Sequence, residues 1–416
     1  MAKKSAAGAG GIRKKTVTRN GKTYEYWEAR YTAGYDPGTG KQIQRSITGK
    51  TQREVSRKLK EATHALDTGE YTEPNKMTLG QWLDIWKDAY LGGVKYGTTA
   101  TYKSDIEIHI KPALGALRLD ALTPHDIQKF YNELYTSGKR VPKHDKDGNI
   151  VKKDGKTVYE QHPLSGKTIK NIHGVLHKAL YQAQRNGYIR FNPAEAVTLP
   201  RIEKKEAKPL DEAESRAFLD AIKGHRYEAL LAVTLFTGMR IGEALGLMWE
   251  CVDFNRNTIR VERQLQLLKY SGGVYELVPT KNSEIRVIKT APFVMELLAK
   301  HKAAQDEMRE KAGRFWKESG LVFTNELGQH LSSSTVSKNY KRLVASIERP
   351  DARFHDLRHS YAVAAIRSGD DIKTVQGNLG HATPTFTLNV YAHVTEQMKQ
   401  ESAEHMENYI KNILKQ

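Results

Sequence analysis

The hydrophobic pattern of this chain changes its period near residue 50, and this change constrains the fold more than any other feature. Between residues 14 and 47, polar and apolar side chains alternate with the period of two that is typical of β-strands. Asn20-Gly21 and residues 36–40 have the composition of tight turns. From Thr51 onward, apolar residues recur every three or four positions, as on amphipathic helices. The pattern predicts a three-stranded sheet backed by one helix, with mainly helical structure after it.

One face of the predicted sheet carries polar and aromatic side chains, whereas the residues between them are mainly apolar. The polar face consists of Tyr24, Tyr26, Glu28 and Arg30. Two interpretations fit this face. It enters a DNA groove, as the strands of some DNA-binding proteins do, or it is the solvated side of a small structural sheet.

Several helix signals follow between residues 77 and 197. Thr78-Leu79-Gly80-Gln81 has the pattern of a capping box, and Thr123-Pro124 is a typical helix start. A helix over residues 99–110 is expected to stop at Pro112, and a helix over residues 167–185 to close at Asn186-Gly187. These signals predict a helical domain.

Residues 139–163 interrupt the helical domain with lysines, aspartates and glycines, including two Asp-Gly pairs that favour turns. We therefore expect an exposed insertion or a β-hairpin. Its basic residues are Lys139, Arg140, Lys143, Lys152, Lys153 and Lys156. They either grip DNA phosphates or belong to a solvated loop, as most charge runs do.

The charge of the chain favours a polyanionic partner. Lysine and arginine number 66 against 48 acidic residues, which gives a formal net charge of +18. The single cysteine, Cys251, excludes an internal disulfide and a thiolate metal site. Neither a secretory signal nor a membrane-length apolar run is recognisable. These observations predict a cytoplasmic, nucleoid-associated protein with DNA as partner and no membrane contact.

A third domain is expected over residues 206–394. Residues 227–236 are apolar enough for a buried helix, and Arg240 begins the next one. Strands are expected near residues 258–263, 275–278 and 285–288, and Lys281 falls at the tip of a hairpin formed by the last two.

Two further basic residues, His355 and Arg358, are spaced three apart and so project from one face of a helix. Taken singly, the residues of this domain have ordinary interpretations. Arg240 is then a surface ion-pair residue, Lys281 a turn residue and Tyr391 a core residue.

Five short sequence motifs, taken in their order along the chain, indicate a shared function for these residues. They are Thr237-Gly238-Met239-Arg240-Ile241-Gly242-Glu243, Thr280-Lys281, His355-Asp356-Leu357-Arg358-His359, Leu379-Gly380-His381 and Tyr391. In this order they resemble the tyrosine recombinase family. Residues 77–197 resemble the helical core-binding domain of that family, and residues 1–70 resemble the arm-binding domain of phage and conjugative-transposon integrases. The implied fold class is multidomain α+β, with a mainly α catalytic domain that contains a small antiparallel sheet.

The resemblance implies a reaction in which Tyr391 attacks a DNA phosphate and forms a 3′-phosphotyrosyl intermediate. By the same resemblance, His355 accepts the tyrosine proton and Lys281 protonates the departing 5′ oxygen. No ATP and no metal are required, because one phosphate ester replaces another. The transition state is stabilised by Arg240, Arg358 and His381, and Glu243 orients the basic cluster.

The resemblance also implies partners and a biological role. The expected role is integration and excision of a mobile genetic element, with double-stranded core and arm DNA sites as partners. The expected assembly is a homotetramer on DNA in which residues 395–416 contact a neighbouring subunit. An excisionase and a host DNA-bending protein are further implied partners. Two alternatives remain open, a type IB-like topoisomerase and a DNA-binding regulator without catalysis.

Overall fold

A computed structural model describes residues 11–19, 22–35, 39–68, 76–147, 149–202, 208–268, 273–280, 284–380 and 396–414. The chain divides into two compact units, residues 1–203 and residues 204–416. The predicted fold class is confirmed, because small antiparallel sheets occur within a mainly helical chain.

The first unit begins with the predicted sheet. Strands β1 (Ile12–Arg19), β2 (Lys22–Tyr35) and β3 (Gln42–Gly49) are antiparallel in the order β1-β2-β3, and helix α1 (Gln52–Asp67) packs on them. The hydroxyl of Thr51 caps α1 by accepting the Glu54 amide at 3.2 Å. The buried apolar residues are Ala29, Tyr31 and Val55. Ala29 and Tyr31 confirm the predicted apolar face, whereas Glu28 on the polar face is also buried. The turn Asn20-Gly21 lies outside the described residues.

The rest of this unit is a helical bundle. Its main helices are α2 (Leu79–Ala89), α3 (Tyr96–Asp105), α4 (Lys111–Leu114), α5 (Pro124–Ser137) and α6 (Gly166–Arg185). Thr78 and Thr123 form capping boxes at the starts of α2 and α5, as predicted. The core is apolar and includes Trp82, whose indole Nε1 donates to the Ala179 carbonyl at 2.8 Å.

The predicted stop at Pro112 is wrong. Helix α3 begins at Tyr96 and continues through a π-helical turn, Ile106–Ile110, into α4, where Pro112 lies in the first turn. A proline inside a regular helix lacks an N–H donor and clashes with the carbonyl four residues earlier. The wider turn, in which the Lys111 amide bonds to the Ile106 carbonyl, accommodates the ring without ending the helix.

Residues 139–162 form a β excursion between α5 and α6. Strand β4 (Lys139–Pro142) pairs with β7 (Tyr159–His162), and β5 (Lys152–Lys153) pairs with β6 (Lys156–Thr157). Asp154 and Gly155 connect the inner pair with φ of +51° and +74°, the geometry of a tight hairpin turn. The predicted β structure is thus confirmed; Gly148, in the other predicted turn, lies outside the described residues.

The second unit is mainly helical. Its helices are α7 (Glu212–Ile222), α8 (Glu228–Thr237), α9 (Ile241–Leu245), α10 (Pro292–Ala312), α11 (Ser333–Ser346), α12 (Asp356–Arg367), α13 (Ile372–Leu379) and α14 (Glu396–Leu414). Helix α8 is almost entirely apolar and is contacted by α7, α9, α10 and α12. The core therefore fixes the end of α8, from which the chain enters α9.

Two small sheets accompany these helices. Their strands are β8 (Val252–Asp253), β9 (Thr258–Val261), β10 (Arg263–Leu268), β11 (Val274–Pro279) and β12 (Arg286–Lys289). One sheet has the order β12-β9-β8, and the other pairs β10 with β11.

The predicted hairpin of the last two strands is wrong, because β11 and β12 each pair with an earlier strand. Residues 263–268 form strand β10, which the hydrophobic pattern does not predict, and β11 pairs with this strand. In the described part of the chain, no helix is both long and apolar enough to cross a membrane.

Candidate active site

The turn between α8 and α9 begins the site. Gly238 has φ of +64°, and a Cβ atom at this position would lie 2.5 Å from Leu379 Cδ2 and 2.6 Å from Tyr361 Cδ1. Glycine is therefore required both for the left-handed backbone and for the close packing. The turn aims the Gly238 carbonyl at Arg358, which donates to it through Nη1 at 2.8 Å.

Arg240 begins α9, as predicted, and Glu243 holds it from the buried side. The Arg240 amide donates to Glu243 Oε2 at 2.9 Å, and its guanidinium Nη1 donates to Oε1 at 2.7 Å. The side chain of Glu243 is fully buried, whereas that of Arg240 is 25% exposed. Arg240 is thus anchored internally and remains accessible to a ligand.

A second arginine, Arg286 on β12, contacts the same carboxylate. Its Nη2 lies 2.6 Å from Glu243 Oε2, and its Nη1 donates to Oε1 at 3.2 Å. Burial alone would raise the pKa of Glu243, but the hydrogen bonds and charges of Arg286 and then Arg240 outweigh it and lower the pKa to about 2. Glu243 is therefore a permanent anion between two cations.

Arg358 lies in the interior, with 1% of its surface exposed. Burial and then the neighbouring Arg240 charge lower the pKa of its guanidinium to about 9, so it stays charged at neutral pH. Its Nη1 and Nη2 donate to the backbone carbonyls of Gly238 and Leu379, and Nε has no hydrogen-bond partner among the residues that the structure describes. A buried cation without a carboxylate of its own is suited to an anionic ligand.

The carboxyl end of α13 binds all three arginines. Arg286 Nε donates to the Asn378 carbonyl at 2.8 Å, Arg358 Nη2 to the Leu379 carbonyl at 2.5 Å, and Arg240 Nη2 to the Gly380 carbonyl at 3.1 Å. The last carbonyls of a helix lack partners within the helix and carry partial negative charge. They therefore gather the three guanidinium groups at one point, next to residue 381.

His355 stands at the N-cap of α12, one turn before Arg358, so the predicted common face is confirmed. Its ring contacts that of His359 edge to face, with 5.1 Å between centroids. His355 is exposed, yet desolvation by the protein atoms packed around its ring, followed by the charges of His359, Arg358 and Arg240, lowers its pKa to about 4. The imidazole is consequently neutral at pH 7 and able to accept a proton.

Three predicted site residues, Lys281, His381 and Tyr391, lie outside the described residues. The ends of the segment that contains Lys281 are tied together, because the Thr280 hydroxyl donates to the Glu284 carbonyl at 2.9 Å. The segment begins at the end of β11 and leads into β12, so it connects two sheets rather than capping a hairpin. Among the described residues, the structure brings together Arg240, Glu243, His355 and Arg358.

Arg286 is a site residue that the sequence analysis does not predict, although the sequence contains a weak signal that its side chain points inward. Along β12 its side chain alternates with exposed Ile285 and Val287 and shares the inward side with buried Ile288. The two exposed residues are themselves apolar, so hydrophobic alternation alone does not indicate which side is buried. The sequence contains nothing that pairs Arg286 with Glu243.

The predicted DNA-contact residues of the first unit lie on its surface. Tyr24 and Arg30 are exposed, and Tyr26 is partly buried. Glu28, which lies between Tyr26 and Arg30 on the same face, is buried and accepts a hydrogen bond from Arg13 Nη2 at 2.7 Å. On the β excursion, the Arg140 guanidinium stacks over Tyr159 at 4.6 Å from the ring centroid. Lys139, Lys152 and Lys153 are also exposed. The β excursion lacks the buried anchoring of the arginine cluster, whereas on the sheet Arg13 and Arg30 face the buried Glu28 carboxylate at 2.7 and 3.8 Å.

One group among the described residues has spacing suited to a metal ion, namely Glu250, Cys251 and Glu262. Arginines already engage its carboxylates. Arg260 Nε contacts Glu262 at 2.9 Å, and Arg263 lies 3.7 Å from Glu250 and 3.2 Å from Glu262. The contacts describe a network of ion pairs rather than a set of open ligands.

The described site combines a buried arginine, a second arginine that ligands can reach and a neutral imidazole. Such groups bind a phosphate ester and remove a proton from its attacking nucleophile, so the fold and site define a phosphoryl-transfer enzyme with basic residues. The phage integrase family model matches residues 208–398, and that of the phage integrase N-terminal SAM-like domain matches residues 78–135. The chain belongs to the tyrosine recombinase family and is a tyrosine site-specific recombinase.

Similar proteins extend over nearly the whole chain. A protein described as tyrosine recombinase XerC-like, from Caldanaerobacter subterraneus subsp. tengcongensis, is 29% identical over 410 residues, which cover 94% of this chain and 98% of that protein. An integrase from Saccharopolyspora erythraea is 22% identical and covers 92% of this chain and 94% of its own. The family predicted from the sequence is thereby confirmed.

Solved structures show the same fold. The Tn1549 transposon integrase, in complex with transposon right end DNA, has a TM-score of 0.62 at 22% identity and covers 80% of this chain and 100% of its own. A lambda integrase dimer bound to a core site has a TM-score of 0.52 at 21% identity, covering 90% of this chain and 93% of its own. At these identities the likeness establishes the architecture and no more.

Proposed function

We propose that this recombinase integrates and excises a mobile genetic element by cutting and rejoining DNA through a 3′-phosphotyrosyl intermediate. The observation that carries the proposal is the buried cation cluster, in which Arg358 Nε has no hydrogen-bond partner in the described part of the chain and Arg240 is held open toward solvent. Related proteins named integrases, among them the ICEBs1 integrase of Bacillus subtilis at 25% identity, support the biological role.

In the proposed reaction, the Tyr391 oxygen attacks the scissile phosphorus and the bond to the 5′ oxygen breaks. His355, neutral at pH 7, takes the proton from the tyrosine hydroxyl. Lys281 gives a proton to the departing 5′ oxygen. The reverse reaction, with a 5′ hydroxyl from another strand, rejoins the DNA and releases Tyr391.

Arg240 and Arg358 are proposed to bind the nonbridging oxygens, where negative charge increases in the transition state. His381 adds a hydrogen bond to the same oxygens. Because Gly380 carries the carbonyl bound by Arg240, the backbone directly before His381 is already fixed to the arginine cluster. The energy of the broken bond is kept in the tyrosyl linkage, so the residues proposed here complete the reaction without ATP or a resident metal.

The test of this chemistry is formation of a covalent adduct. The protein and a Tyr391→Phe variant are mixed with candidate element-end DNA that carries a nick near the crossover point, in the presence of EDTA. Denaturing gels are expected to show an SDS-resistant adduct with the unaltered protein alone. Tight binding by both proteins without any adduct would contradict the proposal and favour a DNA-binding regulator.

Membership of the phage integrase family argues against the type IB-like topoisomerase that the sequence left open, although the chemistry of the two at a single site would be the same. The two functions differ in their need for paired sites. An integrase is expected to exchange strands between two specific sites, whereas a topoisomerase relaxes a supercoiled plasmid that contains neither. Relaxation of plasmids regardless of sequence, without exchange between paired sites, would favour the topoisomerase.

The surfaces of the first unit are proposed to bind DNA. On the β1–β3 sheet, the proposed arm-site contacts are Tyr24, Tyr26 and Arg30, and on the β excursion the proposed core-site contacts are Lys139, Arg140, Lys152 and Lys153. Such contacts supply affinity through phosphates. Replacing Tyr24 and Arg30 by alanine is expected to weaken arm-DNA binding and leave adduct formation on nicked core DNA unchanged. Equal loss of both would contradict separate roles.

We also propose a homotetramer on paired DNA sites, with α14 as the subunit contact. Its exposed apolar residues recur at helical spacing and are Met406, Tyr409, Ile410, Ile413 and Leu414. A chain that ends at Val394 is expected to bind DNA and to stay below a tetramer when sized with that DNA. Assembly that is unaffected by the truncation would contradict this role of α14.

The further proposed partners are an excisionase and a host DNA-bending protein, and the proposed location is the nucleoid. Recombination with purified components tests the two proteins directly. A reaction that proceeds fully in both directions with this chain and DNA alone would remove both from the account.

A further inference from the structure

We propose that Arg286 is a positioning residue for the transesterification, which holds Glu243 and the carboxyl end of α13 so that Arg240 and Arg358 face the phosphate correctly. The inference rests on the proposed function and assigns a role to a residue outside the predicted set. Arg286 acts through Glu243 and is not assigned a contact with DNA.

The geometry of Arg286 is that of a fixed connector. Its guanidinium gives two hydrogen bonds to Glu243, at 2.6 and 3.2 Å, and one to the Asn378 carbonyl at 2.8 Å. Only 10% of its side chain is exposed. Its backbone is held by strand pairing, opposite Val261 of β9. A planar fork with these contacts resists rotation in a way that a single ammonium group does not.

Charge gives Arg286 a second effect. Arg240 and Glu243 alone would form a neutral pair, and a phosphate approaching them would meet little net attraction. With Arg286 on the inner side, the three side chains carry one net positive charge, while Arg240 is the more exposed of the two arginines, at 25% against 10%. Arg286 thus balances the charge of Glu243 and leaves the charge of Arg240 for the ligand.

The contact with α13 extends this effect to the opposite side of the site. The three successive carbonyls of Asn378, Leu379 and Gly380 accept from Arg286, Arg358 and Arg240, so movement of one contact disturbs the other two. Gly380 has φ of +62°, and a Cβ atom there would lie 3.2 Å from Arg286 Cδ. The close approach of Arg286 therefore requires glycine immediately before His381.

The closing experiment compares Arg286→Met with Arg260→Met. Arg260 lies on neighbouring β9, is 47% exposed and pairs with Glu262, so its replacement removes one positive charge near the site without touching Glu243. For Arg286→Met, the rate of adduct formation at saturating DNA is expected to fall by about 100-fold, the size of effect that small misplacement of reacting groups produces. DNA affinity, which many phosphate contacts outside the site supply, is expected to fall far less than the rate, and Arg260→Met is expected to behave as the unaltered protein.

Two further variants separate positioning from simple loss of stability. Arg286→Lys retains the charge and lacks the fork, so it is expected to recover part of the rate. The double variant Glu243→Gln/Arg286→Met removes the carboxylate that would otherwise lose its partner. Because Arg286 and Glu243 act as one unit, the double variant is expected to lose less rate than the sum of the two single losses. Additive losses would overturn the proposal.

Hydrogen exchange without DNA provides a measurement that does not depend on activity. Arg286→Met is expected to speed exchange in residues 238–246 and in residues 372–380, and Arg260→Met in neither. The inference would be overturned if Arg286→Met changed neither the hydrogen exchange of these segments nor the adduct rate. Failure of the proposed function would look different, because the unaltered protein would then form no adduct at all.

Discussion

The arginine cluster of the second unit and the basic residues of the β excursion are held in opposite ways. Arg358 is buried and Arg286 has 10% of its side chain exposed; both bond to backbone carbonyls, and Arg286 also to Glu243. Lys152 and Lys153, on the β excursion, are exposed. A fixed buried cation stabilises charge at one point in space, whereas a mobile exposed cation attracts any phosphate nearby. The comparison assigns chemistry to the first group and affinity to the second.

The two groups also differ in the free energy that is needed to bury their charges. Burying several guanidinium groups beside one another is unfavourable, and the lowered pKa of Arg358, caused by burial and by Arg240, is a sign of it. Three features among the described residues offset that cost, namely the Glu243 carboxylate, the Gly238 carbonyl and the carbonyl end of α13. Exposed ion pairs such as Lys143 with Glu160, at 3.3 Å, contribute about 1 kcal/mol at most.

The largest effect is expected from Arg358→Lys. An ammonium group cannot reach the Gly238 and Leu379 carbonyls and a phosphate oxygen together, so the adduct rate at saturating DNA should fall by about 100- to 1000-fold. Noncovalent affinity, measured by titration, should change little. If affinity and rate fell in equal proportion, the buried and exposed cations would not differ as proposed.

Glu243→Gln tests the charge balance of the cluster. The pKa of Glu243 is lowered from 4.5 to about 2, so its contribution to stability is present above pH 4.5 and is lost as the pH falls toward 2. That contribution amounts to about 3 kcal/mol. The variant should be less stable by about this amount at pH 7 and should lose less further stability on acidification. Chemical denaturation in a pH series measures both, and equal pH dependence in the two proteins would contradict the assignment.

His355 gives an effect on the pH profile. Its pKa is lowered from 6.5 to about 4, so protonation should not reduce the adduct rate until the pH is well below 6.5. The adduct rate of the unaltered protein is measured over this range at saturating DNA, with His355→Gln as control. The control should be slower, and its adduct rate should not fall at acid pH through protonation of residue 355. A fall in rate near pH 6.5 that disappears in the control would show that desolvation and the neighbouring cations do not lower the pKa of His355.

The smallest effect is expected on the exposed surface. Replacing Lys152 and Lys153 by glutamine should reduce the slope of the logarithm of affinity against the logarithm of salt by about 2, one unit for each phosphate contact. The adduct rate at saturating DNA should be unchanged. A slope equal to that of the unaltered protein would remove the β excursion from the DNA interface.

Much of the fold was predictable because local signals specify it. Thr78 and Thr123 were recognised as helix starts from three or four residues, and the structure places a capping box at each. Predictions failed where the outcome depended on distant partners. The helix continues through Pro112 because a π-helical turn precedes it. Strand β11 pairs with β10, a strand that the hydrophobic pattern does not predict.

The site shows the same division. Arg240, His355 and Arg358 are predicted because their order in the sequence resembles that of a family. The structure places Arg240 and Arg358 at the end of α13 and His355 one helical turn before Arg358. Arg286 was missed, because its role depends on a contact with Glu243 43 residues away and with a carbonyl 92 residues away. No local pattern records either contact.

The most direct test of the central claim is to identify the residue and the DNA end in the covalent adduct. The unaltered protein is incubated with nicked element-end DNA in EDTA, digested, and the nucleotide-bearing peptide is sequenced by mass spectrometry. The account predicts a nucleotide 3′ phosphate attached to Tyr391 and a free 5′ hydroxyl that a kinase labels without prior dephosphorylation. Attachment to another residue, or a 5′ phosphate on the released strand, would contradict it.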